Sequence, residues 1–90
     1  MTQISRTVRI TNRRGLHARA SAKFVTLAAQ QPVTIEVEKD GSRVTGTSIM
    51  GLMMLGAAMG DEVVISATGT GADESLQLLV GLVESKFGED

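Results

Sequence analysis

The chain has 90 residues, no cysteine, one histidine and a formal net charge of −1. A chain of this length holds one compact domain, which we place at residues 1–90, and its core must be aliphatic because the sequence has only two phenylalanines and no tryptophan or tyrosine. The lack of cysteine excludes disulfides, thiol catalysis and thiolate metal sites, and a lone histidine argues against any metal site, so no metal and no cofactor are expected.

Charge is distributed unevenly along the chain. The first 23 residues carry six basic residues and no acidic one, and all ten acidic residues lie downstream. This asymmetry gives one end of the molecule a positive potential that would attract an anion or an acidic protein surface. A solvated basic strand and helix face would produce the same asymmetry, so charge alone does not identify a function.

The first third of the chain predicts a strand followed by a helix. Apolar residues alternate with polar ones from Ile4 to Ile10, interrupted by Arg6, which indicates a strand with one solvated face. Residues 12–15 have the composition of a turn. From Ala18 to about Gln30 apolar residues recur at helical spacing, and Pro32 ends the pattern.

The middle of the chain predicts a hairpin and a short helix. Apolar and polar side chains alternate over residues 33–38, and Asp40-Gly41 suits a tight turn into a third strand at residues 42–45. Thr47 and Ser48 then offer a helix N-cap before the apolar run from Ile49 to Met59. This run is shorter than the roughly 20 residues needed to span a bilayer, and no apolar leader precedes the first strand, so we expect a soluble, cytoplasmic protein without membrane insertion.

The last third of the chain predicts a strand and a closing helix. Residues 61–68 favour a fourth strand with Val63 and Ile65 facing inward. The order βαββαβα then predicts an α+β fold, a two-layer open-faced sandwich in which three helices cover one face of a four-stranded antiparallel sheet. The apolar stripe of the closing helix consists of Leu76, Leu79, Val80, Val83 and Phe87.

The single histidine stands where a glycine turn meets the start of the first helix, in the segment Gly15-Leu16-His17-Ala18-Arg19. The unpaired N–H groups of a helix start form an anion site, so we expect Gly15, Ala18 and Arg19 to bind a phosphoryl group carried by His17. The positive helix end also favours the neutral imidazole, which is the nucleophilic form. The simpler alternative is that His17 only caps the helix and Arg19 is a solvated side chain.

Two separated segments resemble a known family. Asn12 and the stretch from Gly15 to Arg19 match the active-site signature of the histidine-containing phosphocarrier protein, HPr, of the bacterial phosphoenolpyruvate-dependent phosphotransferase system. The resemblance covers essentially the whole chain. The family's second site, a serine that opens a short helix, is matched by Ser48, Ile49, Leu52, Leu55 and Gly56.

The resemblance implies a carrier and not an independent enzyme. His17 would be phosphorylated on Nδ1 by Enzyme I, giving a pros-phosphohistidine, and would pass the group to a histidine of an Enzyme IIA domain. His17 and Arg19 are thus the expected catalytic residues, with Arg19 as a phosphate ligand that responds conformationally. Ala20 departs from the family, which usually has proline there, and this departure removes rigidity from the first helical turn. We expect a monomer.

The resemblance also adds a regulatory hypothesis to Ser48, which is first of all a helix cap. In some bacteria the matching serine is phosphorylated by an ATP-dependent kinase, so an HPr serine kinase/phosphorylase is a further expected partner. A phosphate at this position would repel acidic partner surfaces.

The apolar run after Ser48 is larger than a short helix can bury against one sheet face. Exposed methionines adapt to several partners, as a shuttle between proteins requires. Leu52 is a candidate for core packing, and so is Leu55. We expect the partner surface at Ile49, Met50, Met53 and Leu55.

Two other functions stay open at this stage. A regulatory adaptor of the nitrogen-related branch would share the chemistry of His17, and Ala20 together with the methionine-rich helix favours it. A small nucleic-acid-binding module would explain the basic first segment, but the overall acidity and the absent aromatic platform argue against nucleic acid. An independent enzyme is disfavoured because no paired carboxylates or second histidine accompany His17.

Overall fold

The computed structural model describes residues 3–89 and confirms the predicted α+β fold. Residues 1, 2 and 90 of the expected domain lie outside the described range. The element order is βαββαβα, followed by a short 3₁₀ turn. The strands are β1 (Gln3–Arg9), β2 (Thr34–Lys39), β3 (Ser42–Thr45) and β4 (Glu62–Thr68), the helices are α1 (Ala18–Ala29), α2 (Ile49–Met54) and α3 (Ala72–Glu84), and the C-terminal turn is Lys86–Gly88.

The four strands form one antiparallel sheet in the order β1-β4-β2-β3. The last strand in the chain, β4, therefore lies in the interior of the sheet between β1 and β2. Val8 of β1 pairs with Val63, and Val37 of β2 pairs with Ile65, so one face collects the buried side chains. The alternation of buried and exposed side chains favours this register, because a slip by one residue would turn the buried apolar side chains to solvent.

The helices bury their apolar stripes against that face and form one hydrophobic core. Phe24 of α1, Leu52 of α2 and Leu79 of α3 are all almost completely buried in it. The opposite face of β2 and β3 carries polar side chains, and Arg43 there contacts both Glu36 and Glu38. The core is aliphatic apart from the two phenylalanines, as the composition requires.

Arg6 takes the place of an apolar residue in the alternation of β1, and the pairing of the strands shows why a charged residue can lie there. It pairs with Ile65 and so lies on the helix-covered face, but β1 is an edge strand and the Arg6 side chain is half exposed. Its guanidinium lies 3.8 Å from the carboxylate of Glu84 at the end of α3. An exposed ion pair of this kind contributes only about 0–1 kcal/mol to the stability of the fold. The fold therefore accommodates Arg6 but does not depend on it.

The C-terminal end corrects one prediction, since Phe87 is not part of the closing helix. α3 ends at Glu84, and Lys86 and Phe87 adopt left-handed backbone angles with φ of 60° and 54°. Phe87 is nevertheless 1% exposed, and its carbonyl accepts a hydrogen bond from Lys23 Nζ at 2.7 Å. The apolar spacing correctly predicts that Phe87 is buried. The side chain is buried by a turn that brings the chain to Lys23 of α1, and not by a longer helix.

Among residues 3–89, no helix is both long enough and apolar enough to cross a membrane.

Candidate functional site

The turn that presents the histidine depends on a glycine with a left-handed backbone. Gly15 has φ of +65°, and a Cβ atom added there would lie 2.3 Å from the carbonyl oxygen of Ala57. The next residue, Leu16, donates its N–H to that same carbonyl at 2.9 Å. Any side chain at position 15 would therefore be strained and would also push apart the two loops that meet here.

His17 is the N-cap residue of α1, as its place in the sequence predicts. Its backbone is extended, and its ring nitrogen Nδ1 accepts a hydrogen bond from the Arg19 N–H at 3.2 Å. Its carbonyl accepts the first helical hydrogen bond, from the Ser21 N–H at 2.9 Å. Because Nδ1 is an acceptor, it carries the free electron pair of the ring. The side chain is 20% exposed, so this nitrogen is held in a defined place near the surface.

The other ring nitrogen is bound by a carboxylate from the end of the chain. His17 Nε2 lies 2.5 Å from Glu89 Oε2, and Asn12 Nδ2 donates to Glu89 Oε1 at 3.1 Å. The Asn12 hydrogen bond, followed by the hydrogen bond and charge of His17, lowers the pKa of the Glu89 carboxyl below its ordinary 4.5, against the opposing effect of partial burial. Lys23 adds a further favourable charge. The carboxylate is therefore held in its ionised form beside the ring.

The surroundings of the ring are strongly basic. Arg13, Arg14 and Arg19 line a polar cavity of about 330 Å³ together with Glu89. Within residues 3–89, these three arginines make no ion pair with a carboxylate, whereas the other arginines of that range do. Their guanidinium groups are free to receive an anion, and Arg groups bind phosphate oxygens with short, charge-assisted hydrogen bonds.

The structure brings together most of the residues named for phosphate binding and corrects one of them. Ala18 is the first residue of α1, so its N–H has no acceptor within the helix, and Arg19 lies beside it at the cavity. Gly15 differs, because its N–H already donates to the Asn12 carbonyl at 3.2 Å and the residue is buried. Gly15 therefore shapes the turn. The prediction that it binds phosphate is wrong for its N–H, because that group already has an acceptor.

Ser48 and the short helix behind it form the second feature named from the sequence. Ser48 Oγ accepts a hydrogen bond from the Gly51 N–H at 2.9 Å, which is the predicted cap of α2. Four apolar side chains of this helix are exposed, and we call them the methionine surface: Ile49, Met50, Met53 and Met54. Helices α1 and α2 pack on one another, and the loop after α2 contacts the turn at Gly15.

Leu55 does not belong to the methionine surface. It is 8% exposed and packs in the hydrophobic core with Leu52. It follows the last residue of α2 and precedes Gly56, which has a left-handed backbone, and its side chain lies in the core and not in solvent. The expectation that Leu55 contributes to a partner surface is therefore wrong, while its alternative assignment to the core is confirmed.

Sequence reasoning missed the second half of the site, which consists of Glu89 and the amide of Asn12. Asn12 belongs to the matched signature, but nothing local indicates that its side chain binds Glu89, 77 residues later. The only available signal was the charge asymmetry, because a basic first segment and acidic later residues attract one another within one chain as well as between chains.

The fold and site define a small α+β protein that presents one histidine at a helix start, next to arginines free to bind an anion. The family described as the PTS HPr component phosphorylation site matches residues 4–85. The chain therefore belongs to the HPr family of the phosphotransferase system.

Individual relatives agree with this assignment. The phosphocarrier protein HPr of Neisseria meningitidis is 43% identical over 86 residues, which cover 96% of this chain and 97% of the relative. The phosphocarrier protein NPr of Shewanella violacea is 36% identical over 99% of this chain and 98% of its own length. The crystal structure of HPr-C-His from Thermoanaerobacter tengcongensis superimposes with a TM-score of 0.90 at 46% identity, covering 100% of this chain and 99% of that one.

Proposed function

We propose that this protein accepts a phosphoryl group from Enzyme I on Nδ1 of His17 and passes it to Enzyme IIA domains of the phosphoenolpyruvate-dependent phosphotransferase system. One observation carries the proposal: Nδ1 bears the free electron pair at the start of α1, where the Arg19 N–H already points at it. Membership in the HPr family supplies the reaction class.

The transfer itself requires little beyond positioning. The electron pair of Nδ1 forms the N–P bond, and the bond from phosphorus to the donor atom breaks with its electron pair leaving on the donor. The Arg19 N–H then loses Nδ1 as an acceptor but gains the phosphoryl oxygens, together with the unpaired Ala18 N–H. Arg13, Arg14 and Arg19 surround the cavity in which those oxygens would lie.

The methionine surface supports binding to more than one partner. It is an exposed apolar patch on the helix that packs beside α1, and methionine side chains adapt their shape to different partners. A donor and several acceptors can thus dock on one surface and reach the same histidine.

The central test is incubation with purified Enzyme I and ³²P-labelled phosphoenolpyruvate. Wild-type protein is expected to take up label that is lost in acid and kept in base, whereas His17→Ala takes up none. Arg19→Ala should fold normally and accept the group more slowly, because a charge-assisted contact to the phosphoryl oxygens is lost. Label retained by His17→Ala would refute the proposal, and unchanged kinetics in Arg19→Ala would remove that residue from the mechanism.

We further propose that Ser48 is a regulatory phosphorylation site for an HPr serine kinase. Its Oγ caps α2 beside the methionine surface, so a phosphate there would place negative charge at the docking site. Ser48→Asp is expected to slow transfer from Enzyme I, while Ser48→Asn, which caps a helix as well as aspartate does but carries no charge, should transfer like the wild type. Equal rates in the two variants would refute a regulatory role of charge at this position.

A second candidate function is a regulatory adaptor of the nitrogen-related branch. The similarity to the relative named NPr favours it, and it uses the same histidine. Steady-state kinetics with the Enzyme I of each branch separate the two candidates. The donor with the higher kcat/KM by tenfold or more, about 1.4 kcal/mol of discrimination, identifies the branch.

A further inference from the structure

The far side of the His17 ring is held by a carboxylate that the transfer step described above does not use. Glu89 Oε2 lies 2.5 Å from Nε2, and the Glu89 side chain is only 16% exposed. We propose that Glu89 is a positioning residue: it holds the ring proton on Nε2 and thereby keeps the reactive electron pair on Nδ1. Its consequence for phosphoryl transfer rests on the proposed carrier function, but its effect on the ring does not.

The hydrogen-bonding groups around Glu89 allow only one arrangement. Asn12 Nδ2 donates both to Glu89 Oε1 and to the Gly15 carbonyl at 2.8 Å, so a reversed amide would place its oxygen against two acceptors. One carboxylate oxygen is thus occupied by Asn12, and the other faces Nε2. A neutral imidazole has a single N–H, and this N–H must point at the carboxylate.

The two hydrogen bonds on the ring behave differently during transfer. The bond from the Arg19 N–H to Nδ1 must break when Nδ1 gives its electron pair to phosphorus. The bond from Nε2 to Glu89 survives, because the proton stays on Nε2. A ring that carries phosphorus on Nδ1 and a proton on Nε2 is positively charged, and the Glu89 carboxylate faces that charge as it develops.

The C-terminal turn places Glu89 in this position. Its buried Phe87 anchors the segment in the core, and Lys23 Nζ of α1 binds the Phe87 carbonyl. Among residues 3–89, the charged groups that face Glu89 are His17 and Lys23 from α1 and its cap, and Arg13, Arg14 and Arg19 around the shared cavity. All of them are basic, so the carboxylate remains ionised next to the ring.

The decisive variant is Glu89→Gln, which keeps the shape of the side chain but not its two acceptors. A glutamine offers one oxygen, so if that oxygen stays on Asn12 its amide NH₂ faces Nε2 and favours the tautomer with the proton on Nδ1. Glu89→Ala removes the restraint and allows both tautomers. Glu84→Gln, which removes an exposed carboxylate of α3, is the matched control.

Two measurements are made on each variant after circular dichroism has confirmed that it is folded. Long-range ¹H–¹⁵N spectra at neutral pH show which nitrogen of His17 carries the proton, and Enzyme I with phosphoenolpyruvate gives kcat/KM for phosphorylation. We expect the wild type and Glu84→Gln to show the proton on Nε2. Glu89→Gln should shift it towards Nδ1 and should be phosphorylated about tenfold more slowly, the effect of losing one hydrogen bond to a charged group.

The outcomes separate the positioning role from the carrier function. If both Glu89 variants keep the wild-type nitrogen shifts and the wild-type kcat/KM, Glu89 is only an anchor of the chain end and the inference is refuted. If the shifts change in the expected direction but even the wild type accepts no phosphoryl group, the positioning role stands and the carrier function fails. If the wild type is phosphorylated, and the Glu89 variants show both an altered tautomer and a lower kcat/KM, the positioning role and the carrier function are both supported.

Discussion

At the scale of single residues, one atom of His17 serves two purposes. Nδ1 caps α1 by accepting the Arg19 N–H, and Nδ1 is also the proposed nucleophile. A side-chain cap contributes about 1 kcal/mol to helix stability, and the proposed phosphorylation of Nδ1 would remove this one. The charged phosphoryl oxygens are stronger acceptors for the same N–H groups. In the proposed mechanism, capping and carrying are therefore successive states of one site, and the simpler alternative, that His17 caps the helix, is compatible with it.

Gly15 is the residue whose replacement should disturb the site most directly without touching its chemistry. Gly15→Ala places a methyl group 2.3 Å from the Ala57 oxygen on a backbone with φ of +65°. Gly56 has nearly the same φ, +66°, with no atom within 4 Å of an added Cβ, so Gly56→Ala measures the backbone strain alone. We expect a loss in the free energy of unfolding of about 1–2 kcal/mol for Gly56→Ala and a clearly larger loss for Gly15→Ala. Urea denaturation measures the free energy of unfolding of both variants. Equal losses would show that the turn at Gly15 and the loop at Ala57 can separate at little cost in free energy.

Site residues that lie close together in the sequence could be predicted, and contacts between residues far apart in the sequence could not. His17 and Arg19 lie within one helical turn, so a glycine turn and a helix start were enough to place them. The contact between His17 and Glu89 joins residues 72 positions apart, and no local pattern encodes it. The use of the Gly15 N–H was missed for a related reason, because the acceptor at Asn12 depends on the exact form of the turn.

At the scale of elements, the sequence predicted the strands and α-helices from turn and cap signals together with apolar periodicity, which is weak in β3 and in the nearly all-apolar α2. The structure confirms that α1 ends before Pro32, at Ala29, that Asp40-Gly41 closes the hairpin, and that Ser48 caps α2. The C-terminal turn was missed because the apolar spacing from Val83 to Phe87 fits a helix equally well. The turn is favoured over a continued helix by the long-range hydrogen bond from Lys23 Nζ to the Phe87 carbonyl, which apolar periodicity cannot predict.

Phe87 should contribute to stability as a core residue although it lies outside any regular helix. Phe87→Ala removes a fully buried aromatic ring and is expected to lower the free energy of unfolding by about 3–5 kcal/mol. Leu78 on α3 is 52% exposed and serves as the control, since Leu78→Ala should change stability by no more than about 0.5 kcal/mol. Urea denaturation of both variants is the measurement. A loss below about 1 kcal/mol for Phe87→Ala would mean that the C-terminal turn is not anchored as described.

At the scale of the whole molecule, the basic end is partly neutralised by the chain itself. Glu84 faces Arg6, Glu62 faces Arg9 at 3.7 Å, and Glu89 lies among the arginines of the cavity. Arg13, Arg14 and Arg19 remain without an ion pair among residues 3–89 and line the cavity at the His17 site, and the methionine surface lies on α2, which packs on α1. The proposed anion site and the proposed docking surface thus lie on two helices that pack on one another.

The methionine surface should matter for partner binding and little for stability. Met54 is 80% exposed, and Met54→Gln replaces its thioether by a polar group of similar length. We expect KM for Enzyme I to rise about fivefold, which corresponds to about 1 kcal/mol of interface energy. Leu78→Gln, an equivalent change on α3, should leave KM unchanged. An unchanged KM in Met54→Gln, or an equal rise in both variants, would argue against docking at this surface.

The coupling between the chain end and the His17 site should appear as a pH dependence of stability. The folded protein lowers the pKa of Glu89 below 4.5, so folding gains stability from the ionised carboxylate above that value and loses it as the pH falls through the lower, folded pKa. Melting temperatures of the wild type and Glu89→Gln should therefore differ most above pH 4.5 and converge in more acidic solution. Glu84→Gln controls for the change in net charge. A difference between wild type and Glu89→Gln that stays constant down to strongly acidic pH would contradict this, because it would show that the glutamine changes packing and that the ionised carboxylate contributes nothing.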